Sequence, residues 1–253
     1  MDISNFYGYP NYINSVRDWL PMDTEKLFNE NYQDKDKRLL LEKYNWNKNS
    51  IKYKFNNYGF RCEDFKDVDN VVFLGCSHTI GIGIPLESNW TTLVSNVINL
   101  VPYNLGIGGG SWDTCFRLAF YWLEKLKPKI VIVMGPELLR MEWKLDRTFL
   151  TESEKKLEIV DWHNYGRWSL NHESTAISHF SKLITYEENL QLLKEKNKLA
   201  IENLAAKIKT KLLFVNKFYA LSNGKIVGDL ARDLAHAGVD LHKNKAEEII
   251  KLI

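Results

Sequence analysis

Acyl transfer asks for a hydroxyl, an imidazole and a carboxylate that can meet. This chain carries them in two distant stretches, VFLGCSHTIG at 72–81 and ARDLAHAG at 231–238. A serine hydroxyl is a weak nucleophile until an imidazole takes its proton, and the imidazole works better when a carboxylate fixes its tautomer. Ser77 could attack, His236 could act as base and then acid, and Asp233, three residues earlier, could orient His236. A third stretch, GIGGGSW at 106–112, can expose backbone N–H groups to an oxygen that becomes negative, because residues without a Cβ let the chain approach a substrate closely.

Each part also has a plainer reading. A serine after an apolar run is often the cap of the next helix. A glycine-rich turn can cradle a phosphate at a helix N-terminus, although GIGGGSW lacks the lysine of a P-loop and the spacing of the dinucleotide fingerprint. His236 alone is compatible with a surface histidine and Asp233 with a turn. Two other imidazoles compete for the role of base. His78 follows the serine too closely to fold back onto its hydroxyl, and His242, in VDLHKN, has its nearest preceding carboxylate, Asp240, at the wrong spacing. Cys76 adjoins Ser77, but adjacent side chains at a strand end point to different sides, so its thiol is expected in the core.

These residues need elements to bring them together. VVFLG at 71–75, YNLG at 103–106, KIVIVMG at 129–135 and KLLFVN at 211–216 are short apolar runs without alternation, the pattern of strands covered on both faces. Between them, 89–100 and 112–127 have apolar residues at helical spacing, with Ser88 and Ser111 as candidate caps. A longer helical region spans 176–209, and NKAEEIIKLI closes the chain as a helix. Alternating strands and helices predict a three-layer α/β/α sandwich around a doubly wound, mainly parallel sheet. Ligands in such folds collect beyond the carboxyl ends of the strands, where Ser77, the glycine cluster, Glu137 and the Asp233/His236 pair would lie. Residues 1–50, with helical stretches near 23–31 and 35–44, are expected to form an N-terminal helical extension on a domain of residues 51–253, whose opening IKYKF alternates as a half-buried strand should.

Composition narrows the partners. Of 253 residues, 34 are basic and 32 acidic, a net charge of +2 that gives no field to attract nucleic acid or a membrane surface. Three cysteines in no ligand spacing, an N-terminus without a signal-peptide pattern and no long apolar run predict a cytoplasmic protein that does not span a membrane. The stretch 161–180 holds Trp162, Tyr165 and Trp168, candidates to stack on a sugar ring or simply to cover the core; His163, His172 and His179 lack metal spacing, so no metal is expected.

Taken in order, FLGCSHTIGIGIPLESNWTTLVSN at 73–96, YNLGIGGGSWD at 103–113 and ARDLAHAG at 231–238 resemble the serine, glycine and terminal Asp-x-x-His blocks of the SGNH hydrolases, also called GDSL esterases and lipases. Cys76 stands where an aspartate is usual. IKYKFNNYGFR at 51–61 is similar to the strand and turn before the serine block in many microbial and phage-encoded members. The resemblance covers about residues 51–253. It implies a flavodoxin-like sheet, a Ser77–His236–Asp233 triad, an oxyanion hole from the N–H groups of Ser77 and Gly109, and no cofactor. The third block departs from the pattern. Where the family has Gly-x-Asn-Asp, this chain has Gly135-Pro136-Glu137-Leu138, and an ionised Glu137 cannot donate a hydrogen bond. Arg140 is a candidate to assist the oxyanion or hold an acidic substrate, or else to pair with Glu142 or Glu137. Asn104 is a candidate third donor or the pin of the glycine turn. The implied activity is hydrolysis of a small acyl ester, such as an O-acetyl group on a carbohydrate. The alternative is a catalytically weakened carbohydrate-binding or phage structural module, virion-associated or in the host cytosol. Nucleotide binding at the glycine loop is a third reading.

Overall fold

A computed structural model describes residues 1–48, 50–144, 162–171, 175–184, 186–217, 221–222 and 225–253. Its centre is a four-stranded parallel sheet built from β3 (Asn70–Leu74), β4 (Val101–Asn104), β5 (Ile130–Met134) and β8 (Lys211–Val215), in the order β4-β3-β5-β8. Every residue of β3 and β5 is buried, which is why these strands read as unbroken apolar runs. On one face Val72, Leu74, Val131 and Val133 pack with Trp112, Leu118, Trp122 and Leu123 of α5 (Trp112–Leu126) and Ile201 of α7 (Glu187–Lys207). On the other, Val71, Phe73, Ile130 and Ile132 meet Trp90 and Val94 of α4 (Trp90–Ile98) and Ala246 and Ile249 of α8 (Val239–Ile250). With both faces covered, the fold is the doubly wound α/β sandwich expected from the strand and helix alternation.

Register brings the strand ends to one rim. Phe73 pairs with Asn104, Leu74 with Val133, and Met134 with Val215, so the chain leaves β3, β4, β5 and β8 at the same edge of the sheet. β3 is flanked by the second and third strands of this sheet, the reversal of strand order beside which α/β folds open a crevice.

Around this core, β1 (Val16–Arg17) pairs antiparallel with β2 (Tyr53–Lys54), and α1 (Glu25–Gln33) and α2 (Lys35–Lys43) lie between them in sequence. The alternation in IKYKF is real: Ile51, Tyr53 and Phe55 are buried, and Lys52 and Lys54 are exposed. Those three share a core with Leu20, Leu41 and Trp46 from the N-terminal segment and with Ile80, Ile82, Ile84 and Ala231 from the loops at the rim. β6 (Met141–Lys144) and β7 (Trp162–Tyr165) form a second antiparallel pair, with α6 (Thr175–Ile184) following.

Several boundaries differ from expectation. β4 covers 101–104 rather than 103–106, because the Asn104 side chain accepts from Gly106 N–H at 3.0 Å and turns the chain there. Asn89, not Ser88, caps α4, its side chain accepting from Thr91 N–H at 3.3 Å. The helical region 176–209 is two helices, α6 and α7. α8 begins at Val239, five residues before the expected start, because the Asp229 carboxylate accepts from the N–H groups of Asp240 and Leu241 at 2.9 and 3.0 Å. Among the described residues no helix is long and apolar enough to cross a membrane.

Candidate active site

The serine turn follows β3 directly. A Cβ on Gly75, whose φ is +156°, would fall 2.1 Å from Thr79 Oγ1, so the tightness of this turn requires glycine. Ser77 then opens a single helical turn, α3 (Ser77–Ile80), which closes on Gly81 at φ 79°. Cys76 O accepts from Thr79 N–H and Ile80 N–H, and Ser77 O accepts from Gly81 N–H and Ile82 N–H. Cys76 is the N-cap residue and no side chain caps this helix, so the capping role is not what occupies the Ser77 hydroxyl. Ser77 itself is 6% exposed, and Cys76 is buried as a free thiol.

The glycine turn lies against it. Ile107 N–H donates to Gly75 O at 3.1 Å, and Gly108 N–H donates to the Tyr9 hydroxyl at 2.5 Å. Gly109 sits in the left-handed region at φ 72°, and Ser111 caps α5 through a capping box with Thr114. Among the described residues neither Ser77 N–H nor Gly109 N–H is bonded to an acceptor. Asn104 is no oxyanion donor. Its Nδ2 donates to Thr79 O at 2.6 Å and to Thr91 Oγ1 at 3.2 Å, so both amide hydrogens are spent on pinning the two turns together.

The Asp233–His236 loop completes this side. Asp233 Oδ1 accepts from the N–H groups of Ala235 and His236, each at 3.0 Å, and Asp233 Oδ2 lies 2.5 Å from His236 Nδ1. With Nδ1–H held by the carboxylate, Nε2 is the nitrogen left to accept a proton. The His236 ring meets the His78 ring edge to face at 5.0 Å between centroids, which is how the loop reaches the serine turn across more than 150 residues of sequence. Among the described residues no hydrogen bond joins Ser77 Oγ to His236. Such contacts commonly tighten only with substrate bound.

Both rival histidines are structural. His242 Nδ1 accepts from Trp90 N–H at 3.2 Å, and burial holds its pKa down to about 3, with the charges of His236 and Arg61 adding to the effect. Burial, then His236, His242, Arg140 and Lys217, push His78 well below the ordinary imidazole range. Both rings are therefore neutral near pH 7, and what His78 contributes is a wall against His236.

Segments with no chemical motif of their own brace the loop. Arg232 Nε and Nη2 donate to the Asp23 carboxylate at 3.0 and 2.7 Å, Nη2 also donates to Asp18 O at 2.7 Å, and the guanidinium lies 3.8 Å from the Trp19 ring centroid. Tyr53 Oη donates to Asp23 and accepts from Gly83 N–H at 2.8 Å, while Arg232 N–H donates to Gly83 O. Trp46 Nε1 holds Leu230 O at 2.8 Å. No sequence signal links Asp23 to Arg232, 209 residues away.

The wall after β5 is built differently. Glu137 is ion-paired with Lys217, two residues past β8, a residue that inspection of the strand ends alone would have found. Glu142 is buried against Arg117, with Nε–Oε2 2.6 Å and Nη2–Oε1 2.8 Å. Of the alternatives open for Arg140, pairing with Glu137 or Glu142 is therefore not realised; its guanidinium lies 5.2 Å from the centroid of Trp168, and its buried Nη1 has no hydrogen-bond partner. Trp168 is 51% exposed, and its ring edge comes within 3.5 Å of where a Cβ on Gly109 would stand. Tyr165 is core, packed on Phe180 at 5.0 Å, and the Arg117 guanidinium lies over the Trp162 ring at 4.9 Å. Of the three aromatic candidates, Trp168 alone reaches the glycine turn as an exposed ring. The placement of His172 and of the His163 side chain falls outside the described residues, and His179 is exposed on α6. Among the described residues no three His, Cys, Asp or Glu side chains gather as metal ligands would.

No protein-family model and no curated protein matches the sequence. Among solved structures, the chain is similar to a lipolytic protein of the G-D-S-L family from Desulfitobacterium hafniense DCB-2, with 12% identity, 73% of this chain and 99% of that one covered, and a TM-score of 0.37. A second is a member of the lipolytic protein G-D-S-L family from Veillonella parvula DSM 2008, at 12% identity, 73% and 97% coverage and a TM-score of 0.34. A third is an acetyl xylan esterase from the rumen bacterium Butyrivibrio proteoclasticus, at 13% identity, 81% and 66% coverage and a TM-score of 0.36.

Proposed function

We propose that this protein is a serine esterase that hydrolyses a small acyl ester through an acyl-enzyme. The reading is carried by one observation: a carboxylate, Asp233, bonded to the Nδ1 of an imidazole whose ring adjoins the turn bearing a serine that caps nothing. In this mechanism His236 Nε2 takes the proton of Ser77 Oγ as the bond from Oγ to the ester carbonyl carbon forms. The oxyanion is held by the N–H groups of Ser77 and Gly109, which have no other acceptor among the described residues. His236 then returns the proton to the departing alcohol as the C–O bond breaks, and a water, activated by the same imidazole, releases the acid. Asp233 steadies the imidazolium throughout.

The position occupied by the family's donor asparagine is Glu137, and a carboxylate ion-paired with Lys217 has no hydrogen to give. Two donors rather than three cost about 2.7–4 kcal/mol of transition-state stabilisation, a slowing of roughly a hundredfold to a thousandfold. Turnover should be slow but present. An O-acetyl group on a carbohydrate suits the exposed Trp168 ring beside Gly109.

A fluorophosphonate probe tests the reaction class. It should label Ser77 of the native protein, and Ser77→Ala should lose both labelling and hydrolysis of a short-chain aryl acetate. The absence of labelling across neutral to alkaline pH, in protein whose circular dichroism and unfolding transition show it folded, overturns the esterase. That result would favour the second reading, a carbohydrate-binding or phage structural module on the same fold, to which the Glu137–Lys217 pair also points.

A further inference from the structure

The loop after β5 and the strand β6 that follows it hold two carboxylates, Glu137 and Glu142, and one guanidinium between them, and the carboxylates are both engaged elsewhere. Lys217 takes Glu137 from across the rim, and Arg117 of α5 takes Glu142 through two short hydrogen bonds. Arg140 is left with neither. Its Nη1 is out of contact with solvent and has no hydrogen-bond partner, and what it does touch is the Trp168 ring, a face that stabilises a cation without consuming its N–H groups. A buried guanidinium nitrogen without an acceptor is costly to maintain and rare. The rest of the side chain is partly exposed, and it lies beside the glycine turn: the Trp168 ring under the guanidinium borders Gly109.

We infer that Arg140, stacked on Trp168, is the anion-binding subsite of the cleft and takes a carboxylate carried on the alcohol part of the ester substrate. This rests on the esterase reading above. A guanidinium offers two parallel N–H donors that match a carboxylate's two oxygens, and Arg140, partly exposed and with both neighbouring carboxylates engaged elsewhere, has the edge away from the buried Nη1 to present to one. The alcohol side is assigned because the acyl group is the small part of the ester in that reading, whereas Trp168, half exposed at the rim, faces the part that extends outward. An ester of an acidic sugar or of a hydroxy acid fits this chemistry; a neutral polyol ester leaves the guanidinium without a counter-ion.

The test compares two aryl acetates that differ in one charge, 4-acetoxybenzoate and its methyl ester, followed by acetate release. Because the methyl ester is the chemically more activated of the two, a preference for the anion reports binding. The native protein should prefer the anion by about tenfold or more in kcat/KM through a lower KM, Arg140→Gln should bring the ratio to one or below, and Arg140→Lys should recover part of it. A ratio of one or below in the native protein, or an unchanged ratio in Arg140→Gln, overturns the subsite even if Ser77 is labelled by the fluorophosphonate. Calorimetric binding of 4-hydroxybenzoate to Ser77→Ala separates the two readings. Binding that is lost in the Ser77→Ala/Arg140→Gln double variant supports the subsite even where no ester is turned over. Binding that survives that change, or no binding at all, overturns it.

Discussion

The two walls of the cleft differ in how their polar groups are spent. On the wall made by the turns at 75–83, 104–111 and 229–238, three side chains hold the backbone in place: Asn104 bonds Thr79 and Gly106, Asp233 three groups of its own loop, and Arg232 Asp23. The wall made by 135–144 and 162–168 leaves two nitrogen donors over, with Arg140 Nη1 and Trp162 Nε1 buried without partners, whereas the atom so placed in the serine turn is a hydroxyl oxygen, Thr79 Oγ1. Satisfied hydrogen bonds fix geometry, whereas a polar group left without a partner fixes none. The first wall is therefore suited to positioning a proton transfer and the second to selecting what is brought to it.

On that division, damage to the first wall should appear in rate and folding. Asp233→Asn removes the carboxylate that sets the His236 tautomer and should lower kcat by about ten thousandfold, the size of effect seen when a triad carboxylate becomes an amide. Stopped-flow or endpoint hydrolysis of an aryl acetate reads it; a drop of less than tenfold would mean that His236 is not held for catalysis by this bond. Next in size is Asp23→Ala. It leaves the Arg232 guanidinium buried beside Trp19 with its carboxylate gone, and breaking a buried pair of this kind costs about 3–5 kcal/mol. Denaturant unfolding should show the loss. Because Arg232 adjoins Asp233, the fluorophosphonate labelling rate should fall as well, under conditions where the variant is still fully folded.

How much of this could be read from the chain depends on the range of the interaction. β3 and β5 were legible because burial on both faces forces an uninterrupted apolar run, and α5 because its cap, Ser111, lies in the local sequence. β4 was displaced by two residues because it is an edge strand whose opening Val101-Pro102 does not read as buried, and an edge tolerates a proline that a central strand would not. Ser77, Asp233 and His236 stood out because nucleophile, carboxylate and imidazole are distinctive types at strand ends. Tyr9, Asp23 and Lys217 did not, since a tyrosine near an N-terminus or a lysine after a strand acquires meaning only from its partner. Tyr165 and Trp168 stayed open between ligand platform and core cover for the same reason: an aromatic side chain reads alike in sequence whether it is covered, as Tyr165 is, or exposed, as Trp168 is.

The same contrast predicts how the positioning wall responds to acid. His242 is buried with a pKa near 3, against about 6.5 in an unfolded chain, so between these values the unfolded state binds the extra proton. Stability is then full above pH 6.5 and is lost as pH falls towards 3, by an amount on the order of a few kcal/mol, with His78 acting in the same direction. Thermal unfolding followed from pH 7 to pH 4 should show the midpoint falling. His242→Asn, which keeps an acceptor for Trp90 N–H but cannot titrate, should flatten that slope. An equal slope in the variant would assign the acid sensitivity elsewhere.

The smallest effect expected is also the most local. Tyr9→Phe removes only the oxygen that accepts from Gly108 N–H, leaving that donor unpaired, at a cost of about 1–3 kcal/mol. The aromatic ring, which packs against Phe55 and Tyr12, remains, so little of this loss comes from packing. The neighbouring Gly109 N–H is the group assigned to the oxyanion, and a looser Gly108 should misdirect it. The variant should therefore lose kcat with little change in KM, because an oxyanion contact strengthens only in the transition state. A rise in KM at constant kcat would instead assign Tyr9 to the substrate-selecting side of the cleft and dissolve the boundary between the two walls at the glycine turn.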